Sequence, residues 1–367
     1  MRKDTRVFEA NPQGGGAFGD LPEWDLSDLY ASEDAPELHA DIKQLEKFCS
    51  YFSDDYDGKL AQLTADEMLK AVERYEAIDT IAGRIMSFAG LRYYQLTSDP
   101  ERAKFMSDMQ DKLTEHTTKL VFYGLEFNRL DEKALSDLLS QNDALARYKP
   151  VFDRMRAMKP YQLSDEMEKF LHDQSVVGSA AWKRLFDGTV AGLVCTIDGE
   201  DLLLEAAANK VSEQDRDTRE AAAREIARVL RANISLFARV HNTLAKEKEI
   251  EDRWRKMPTP QTGRHLSNHV EAEVVEALRN AVVAAYPKLS HRYYALKAKW
   301  LGLEKMQVWD RNAPLPIEND KLVNWTEAQD MVLSAYAEFS PEMAQIAKPF
   351  FTEGWIDAAV KPGKAPG

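Results

Sequence analysis

Apolar residues recur along most of the chain at the three- and four-residue steps that mark one face of an α-helix. The clearest stripe consists of Ile226, Leu230, Phe237, Val240 and Leu244. It predicts one long helix that opens at Ser212 and Asp215, since both residue types cap helix N-termini. Pro258 and Pro260 should end this helix, because proline cannot continue the hydrogen-bond ladder.

Other helix starts are marked by polar side chains in front of an apolar stripe. Thr64 and Glu67 have the spacing of a capping box, and Asp99 followed by Pro100 provides an N-cap and a first-turn proline. Together they predict a helical hairpin over roughly residues 64–127. Further helices are predicted near 131–145 and 164–185, at Thr326 with Gln329, and at Ser340 with Pro341.

The helical period is interrupted between residues 188 and 205 by short apolar runs separated by glycines. Asp198 and Gly199 lie between LVCTI and DLLL, which predicts a β-hairpin with a two-residue turn. We therefore place a domain boundary near residue 190. The predicted fold class is mainly α, with long helical hairpins and a bundle and one or two small β elements. Residues 1–20 contain three adjacent glycines and few apolar residues, which predicts a flexible tail.

The charge and the cysteine content exclude several classes of partner and of structural cross-link. The formal net charge of −13 argues against nucleic acid, whose binding needs clustered lysine and arginine. Cys49 and Cys195 are far apart in the sequence, so neither a disulfide scaffold nor a cysteine-rich zinc site is expected. No apolar run has the length of a signal peptide or of a membrane span. We expect a cytoplasmic protein with no membrane partner.

The segment GRHLSNHVEAE, residues 263–273, has the look of a zinc site because His265 and His269 are four residues apart. Leu266, however, occupies the place of the glutamate in an HExxH motif. Asn268 with Glu271 predicts a new helix that starts at His269 and leaves His265 in a loop. None of the seven histidines is followed by a glutamate, and no GxSxG or phosphate-binding glycine loop is present. The residues alone indicate no catalytic, cofactor-binding or metal-binding side chain.

HRYYALKAKWLGLEKMQVWDRNAPLP, residues 291–316, resembles a stretch of oligoendopeptidase F and its relatives, the thimet-oligopeptidase-like zinc metallopeptidases. LPEWDLSDLY, SEQDRDTREAAAREI and GWIDAAVKPGKAPG resemble other segments of that family in order and spacing. The resemblance implies a prolate helical fold split by a channel that admits short peptides. It also implies an HExxH helix whose two histidines bind zinc with a later glutamate, while the glutamate of the motif activates water.

This sequence ends at Gly367, within the segment that precedes the HExxH helix in the family, so no zinc ligand can be carried over to it. The resemblance implies an N-terminal helical domain at 21–190. It implies the first part of a catalytic domain at 191–367, truncated before the zinc-binding helix. The chain is then part of a zinc metalloendopeptidase and inactive alone, with short peptides and the missing C-terminal part as partners. The alternative is a non-catalytic helical protein that binds peptides or a partner.

The shared segment at 291–316 also permits structural predictions. Tyr293, Leu296 and Trp300 recur at helical steps, which predicts a face that packs into a core. Lys297 lies on another face and should be solvated or salt-bridged. Asp310 is expected to accept hydrogen bonds from backbone amides and to have a structural role.

Overall fold

The computed structural model describes residues 19–316, 323–359 and 363–365. The predicted flexible tail at 1–20 lies almost wholly outside these residues and stays a prediction. Within them the chain is mainly α, as predicted, with one two-stranded sheet. The helices are α1 (Pro36–Tyr56), α2 (Ala65–Gln95), α3 (Pro100–Thr117), α4 (Val121–Arg129), α5 (Glu132–Gln141), α6 (Asp143–Ala146), α7 (Lys149–Ala157), α8 (Asp165–Gln174), α9 (Ser179–Ala191), α10 (Leu204–Lys210), α11 (Arg216–Ala232), α12 (Ile234–Arg255), α13 (Thr262–Ser267), α14 (Ala272–Ala285), α15 (Ser290–Trp300), α16 (Trp325–Phe339) and α17 (Pro341–Thr352). The strands are β1 (Val194–Ile197) and β2 (Glu200–Leu203).

The predicted hairpin of α2 and α3 is confirmed together with both of its helix starts. The Thr64 hydroxyl accepts from the amide of Glu67, whose carboxylate accepts from the Thr64 amide in return. The Asp99 carboxylate accepts from the amides of Glu101 and Arg102. Side chains therefore satisfy amides that have no partner within either helix.

The hairpin packs with α1 and α4–α7 around an aromatic core. Phe52 lies 4.8 Å from Tyr56 and 5.4 Å from Tyr123 between ring centroids, and Phe127 lies 4.5 Å from Phe152. This cluster contains no residue beyond 155. A second and smaller cluster joins the β-hairpin to α10–α12. The boundary predicted near residue 190 lies between the two clusters, and the division into 21–190 and 191–367 stays a prediction.

The β-hairpin is confirmed at its predicted turn. Ile197 pairs with Glu200, and Asp198 and Gly199 have φ values of 53° and 81°. Two successive positive φ angles match the right-handed twist of the strands, which explains why an Asp-Gly pair is found there. Cys195 on β1 points into the second cluster, and Cys49 is buried in the first. Both are free thiols, as expected.

Three of the predicted helices are interrupted where the sequence stripe continues. The long helix from residue 212 is two helices, α11 and α12, separated at Asn233, whose side-chain amide donates to the carbonyl of Val229. The helix predicted at 131–145 breaks at Asn142, which caps α6. The helix predicted at 164–185 breaks between α8 and α9 at Gly178. Asparagine offers the backbone a competing hydrogen bond, and glycine has low helix propensity.

The C-terminal helices contradict two predictions. Tyr293, Leu296 and Trp300 do not pack into a core: all three are exposed, because no described element covers that face of α15. Lys297, on another face, is buried and not solvated, and its ammonium donates to the carbonyl of Arg311 at 2.9 Å. The cap predicted for α16 is also two residues off, since Asn324 accepts from the amide of Glu327.

The last described residues return to the start of the chain. The amide of Asp25 donates to the carbonyl of Gly354 at 2.9 Å, and the indole of Trp355 donates to Asp28 at 3.1 Å. Gly354 has a φ of 68°, and a Cβ there would lie 2.8 Å from that of Asp25. None of the described helices combines the length and the apolar character that crossing a membrane requires.

Candidate functional site

A groove of about 1260 Å³ runs along α12 and faces α8 and α9. We call it the α12 groove. Its α12 wall includes Ser235, Ala238, Asn242, Lys246, Ile250 and Trp254. These residues recur at steps of three and four, so they form a single helix face. The face lies beside Phe237, which packs against the second cluster, and beside the buried Val240.

One end of the α12 groove is held by an ion pair between α8 and α12. The guanidinium of Arg255 donates to both carboxylate oxygens of Glu168, at 2.6 and 2.9 Å, and to the carbonyl of Tyr161 at 3.2 Å. The side chains are 11% and 14% exposed. Burial alone would raise the pKa of Glu168, but the hydrogen bonds from Arg255 and from the amide of Leu163 lower it. A bidentate pair of this kind fixes orientation as well as distance.

The middle of the α12 groove is fixed by Glu247. Its Oε1 accepts from the amide of Ser179, the first residue of α9, at 3.1 Å. A Cβ at Gly178 would lie 2.6 Å from that oxygen and 3.3 Å from the carbonyl of Gln174. Glycine at this position therefore leaves room for the Glu247 carboxylate beside the start of α9.

The side chains that remain available in the α12 groove suit binding. Phe170, Val177 and Trp254 present exposed apolar surface, and Trp182 is half-buried beside them. Arg239 makes no hydrogen bond or ion pair with any described residue. Apolar walls with a few polar groups are typical of ligand grooves.

A second cluster of charges surrounds Asp310, which is 0% exposed. Its two oxygens accept from Nε and Nη2 of Arg216 at 3.0 Å each, and Oδ1 also accepts from Arg219 at 3.2 Å. The amide of Gln307 donates to Oδ2 at 2.9 Å. The guanidinium of Arg219 also donates to the carbonyls of Trp309, Glu213 and Gln214.

Burial alone would raise the pKa of Asp310, but Arg216, the Gln307 amide and Arg219 together lower it to about 2. The predicted amide hydrogen bond is therefore present, and the carboxylate is ionised and fully engaged. Asp310 ties the loop at 307–313 to α11, which is a structural role.

Comparison with known proteins finds relatives among the oligopeptidases. The family described as Oligopeptidase F matches residues 126–194. The chain is 23% identical to Oligopeptidase PepF of Bacillus subtilis (strain 168) over 94% of its own length, and 22% identical to the Oligoendopeptidase F homolog of Lactococcus lactis subsp. lactis over 94%. Over nearly its whole length, the chain is similar to oligoendopeptidase F proteins.

Oligoendopeptidase F structures share its fold. The crystal structure of oligoendopeptidase-F from Enterococcus faecium superposes with a TM-score of 0.68 at 19% identity, covering 90% of this chain and 69% of that one. PZ peptidase A with an inhibitor gives 0.70 at 16% identity, covering 94% and 58%. The chain spans about half the length of the curated relatives it matches, 52% for the Bacillus subtilis protein and 57% for the Lactococcus lactis protein.

His265 and His269 lie at the C-terminal end of α13. His265 lies within α13, and the amide of Val270 donates to its carbonyl at 3.1 Å while the His269 amide donates to that of Leu266. His269 has a φ of 52°, so it takes the left-handed position of a Schellman motif. The prediction that His269 opens the next helix is wrong: α14 begins at Ala272, because Asn268 ends α13 instead of capping α14.

No three histidine, cysteine, aspartate or glutamate side chains are grouped to hold a metal ion within the described parts of the chain. The prediction that this chain carries no zinc ligand stays a prediction. The α12 groove was not predicted. Its only signal in the sequence was the series of three- and four-residue steps from Ser235 to Trp254. This helix face is largely polar, so it reads as a face exposed to solvent.

Proposed function

We propose that this chain is part of a zinc metalloendopeptidase that hydrolyses short peptides. It supplies the helical domain and one wall of the peptide channel, and other polypeptide supplies the zinc ligands and the general base. Similarity to oligoendopeptidase F proteins over nearly the whole chain supports the reaction class. The α12 groove supports the role of a peptide-binding wall, because its exposed side chains can contact an extended peptide. No catalytic group is needed for that contact.

The observation that carries this proposal is the uncovered apolar surface of the C-terminal helices. The described residues of α14, α16 and α17 include no buried side chain. Leu278 and Ile346 are each 65% exposed and Phe339 is 85% exposed. Large apolar side chains that stay exposed on a folded protein in such numbers mark surface that contacts a partner. Since the relatives are nearly twice as long, we assign this surface to contact with the part of the catalytic domain that carries the zinc site.

The described residues do not fit zinc, since no three suitable side chains are grouped. We therefore derive no catalytic step on this chain. Its share of the function is to bind and orient the peptide and to support the catalytic part. The two free, buried thiols suit the reducing cytoplasm, where we place the protein.

Hydrolysis of a quenched fluorescent octapeptide tests the proposal. The purified chain with added zinc should not cleave it. The chain mixed with the polypeptide that carries an HExxH helix, encoded further along the gene or beside it, should cleave it, and a chelator should abolish the reaction. Chelator-sensitive cleavage by the chain alone would place the zinc ligands within it. A mixture that stays inactive, or the lack of such a coding sequence, would overturn the proposal.

The alternative is a non-catalytic helical protein that binds peptides or a partner. The α12 groove favours it, since binding there needs no metal. This alternative is favoured if the mixture is inactive and the chain alone binds the octapeptide.

Leu278→Asp should separate the two roles. We expect this substitution on α14 to weaken association with the zinc-bearing polypeptide by about tenfold or more, because it buries a charge in an apolar interface. The chain itself should keep its thermal stability, since the side chain is exposed. Val151→Asp, at an exposed position of α7, is the matched control and should leave the affinity unchanged. Equal affinities of the two variants in a titration would contradict the assignment of this surface.

A further inference from the structure

The α12 groove contains one cationic side chain that the described residues leave unpaired. Glu168 and Glu251 pair with Arg255, and Glu247 accepts from the Ser179 amide. Lys246, on the groove wall, pairs with Glu249. Arg239 lines the groove and has no such partner.

We propose that the α12 groove binds a peptide carboxylate through Arg239, while an apolar side chain of the same peptide packs on Trp254. That the ligand is a peptide rests on the proposed function; the requirement for a carboxylate rests on the guanidinium of Arg239, which lines the groove without a partner among the described residues. Glu168 and Glu251 share the guanidinium of Arg255, and the Glu247 carboxylate accepts the Ser179 amide, so Arg239 is the charged side chain of the groove whose hydrogen-bond donors are left for a ligand. A guanidinium binds a carboxylate through two parallel hydrogen bonds, which makes it the natural counterpart.

The helix rise sets the spacing of the two anchors. Arg239 and Trp254 are separated along α12 by about 22 Å, at about 1.5 Å per residue. An extended peptide advances about 3.3 Å per residue. The carboxylate and the apolar side chain should therefore be about six or seven residues apart. Phe170 and Val177 on the opposite wall then contact the residues between them.

The carboxylate has two sources, the C-terminus of the peptide or an aspartate or glutamate side chain. Three N-terminally labelled octapeptides with a tryptophan near the label distinguish them. The first has a free C-terminus, the second is amidated, and the third is amidated with aspartate as its last residue. Binding of the first but not of the third identifies the C-terminus, and binding of both identifies any carboxylate.

Fluorescence anisotropy of these peptides with the 367-residue chain tests the inference. We expect Arg239→Gln to weaken binding of the acidic peptides by roughly tenfold to a hundredfold, as befits the loss of a charge-assisted hydrogen bond. Arg231→Gln removes the same charge from an exposed arginine outside the groove and should change affinity less than about twofold. Both variants should melt with the parent chain, since both arginines are exposed.

The inference would be overturned if Arg239→Gln and Arg231→Gln changed the affinity equally, if the second peptide bound as tightly as the first, or if no peptide bound. The outcome is separable from that of the peptidase proposal, because it is measured on this chain alone. If the chain binds carboxylate-bearing peptides selectively while the mixture stays inactive, the peptidase proposal fails and the inference about the α12 groove holds. If the mixture is active with the same KM for the first and second peptides, and Arg239→Gln does not change the KM, only the inference about the α12 groove fails.

Discussion

Asp310→Ala should lower the free energy of unfolding by about 3–5 kcal/mol, the range found when one partner is removed from a buried ion pair. Arg219 is 3% exposed, so its guanidinium would stay buried without its carboxylate. The Gln307 amide would also lose its acceptor. We expect a lower midpoint in urea denaturation and early loss of the loop at 307–313 in hydrogen exchange.

Two controls isolate the buried charge. Asp217→Ala removes an exposed carboxylate from the first turn of α11 and should cost less than about 1 kcal/mol. Asp310→Asn retains the shape but not the charge and should fall between the two. A loss below 1 kcal/mol for Asp310→Ala would show that the arginines find solvent or another acceptor.

The same carboxylate predicts a pH dependence. Its pKa is about 2 in the folded chain, below the ordinary value of 3.8. A lowered pKa stabilises the fold above the ordinary value, and this contribution is lost as the pH falls from about 4 through 2. The difference corresponds to about 2 kcal/mol, which Asp310→Asn should not show. Parallel stability curves of the two proteins between pH 5 and 2 would contradict it.

Local signals in the sequence predicted where helices begin, but hydrophobic periodicity did not show where they are interrupted. Thr64, Asp99 and Ser340 cap helices because each interacts with amides two or three residues away. The break at Asn233 leaves the apolar steps on both sides intact, so hydrophobic periodicity could not reveal it. The exposure of Trp300 was equally hidden, because a sequence stripe shows that a face is apolar and not what covers it.

The α12 groove could not be predicted for a related reason. Arg255 and Glu168 are 87 residues apart, and their pairing follows from the packing of α12 beside α8 and α9. Gly178 and Glu247 meet only in the folded chain. By contrast, the structural role of Asp310 was predictable from its place after a helix and before two prolines, although its arginine partners on α11 were not.

Arg255→Met should cost about 3 kcal/mol and open the α12 groove. The substitution preserves most of the apolar stem but leaves the largely buried carboxylate of Glu168 without its cation. The Tyr161 carbonyl loses a donor as well. Because the pair joins α8 to the end of α12 that carries Trp254, we also expect weaker binding of the octapeptide, by roughly tenfold. Thermal unfolding and fluorescence anisotropy measure the two effects.

Arg253→Met is the matched control, since Arg253 pairs with Glu249 on the exposed side of the same helix. An exposed pair contributes at most about 1 kcal/mol, so this variant should retain both stability and peptide affinity. The double variant Arg255→Met with Glu168→Gln should recover part of the lost stability, because it no longer buries an uncompensated charge. If the double variant is as unstable as the sum of the single ones, the two side chains act independently. The ion pair then does not hold the α12 groove.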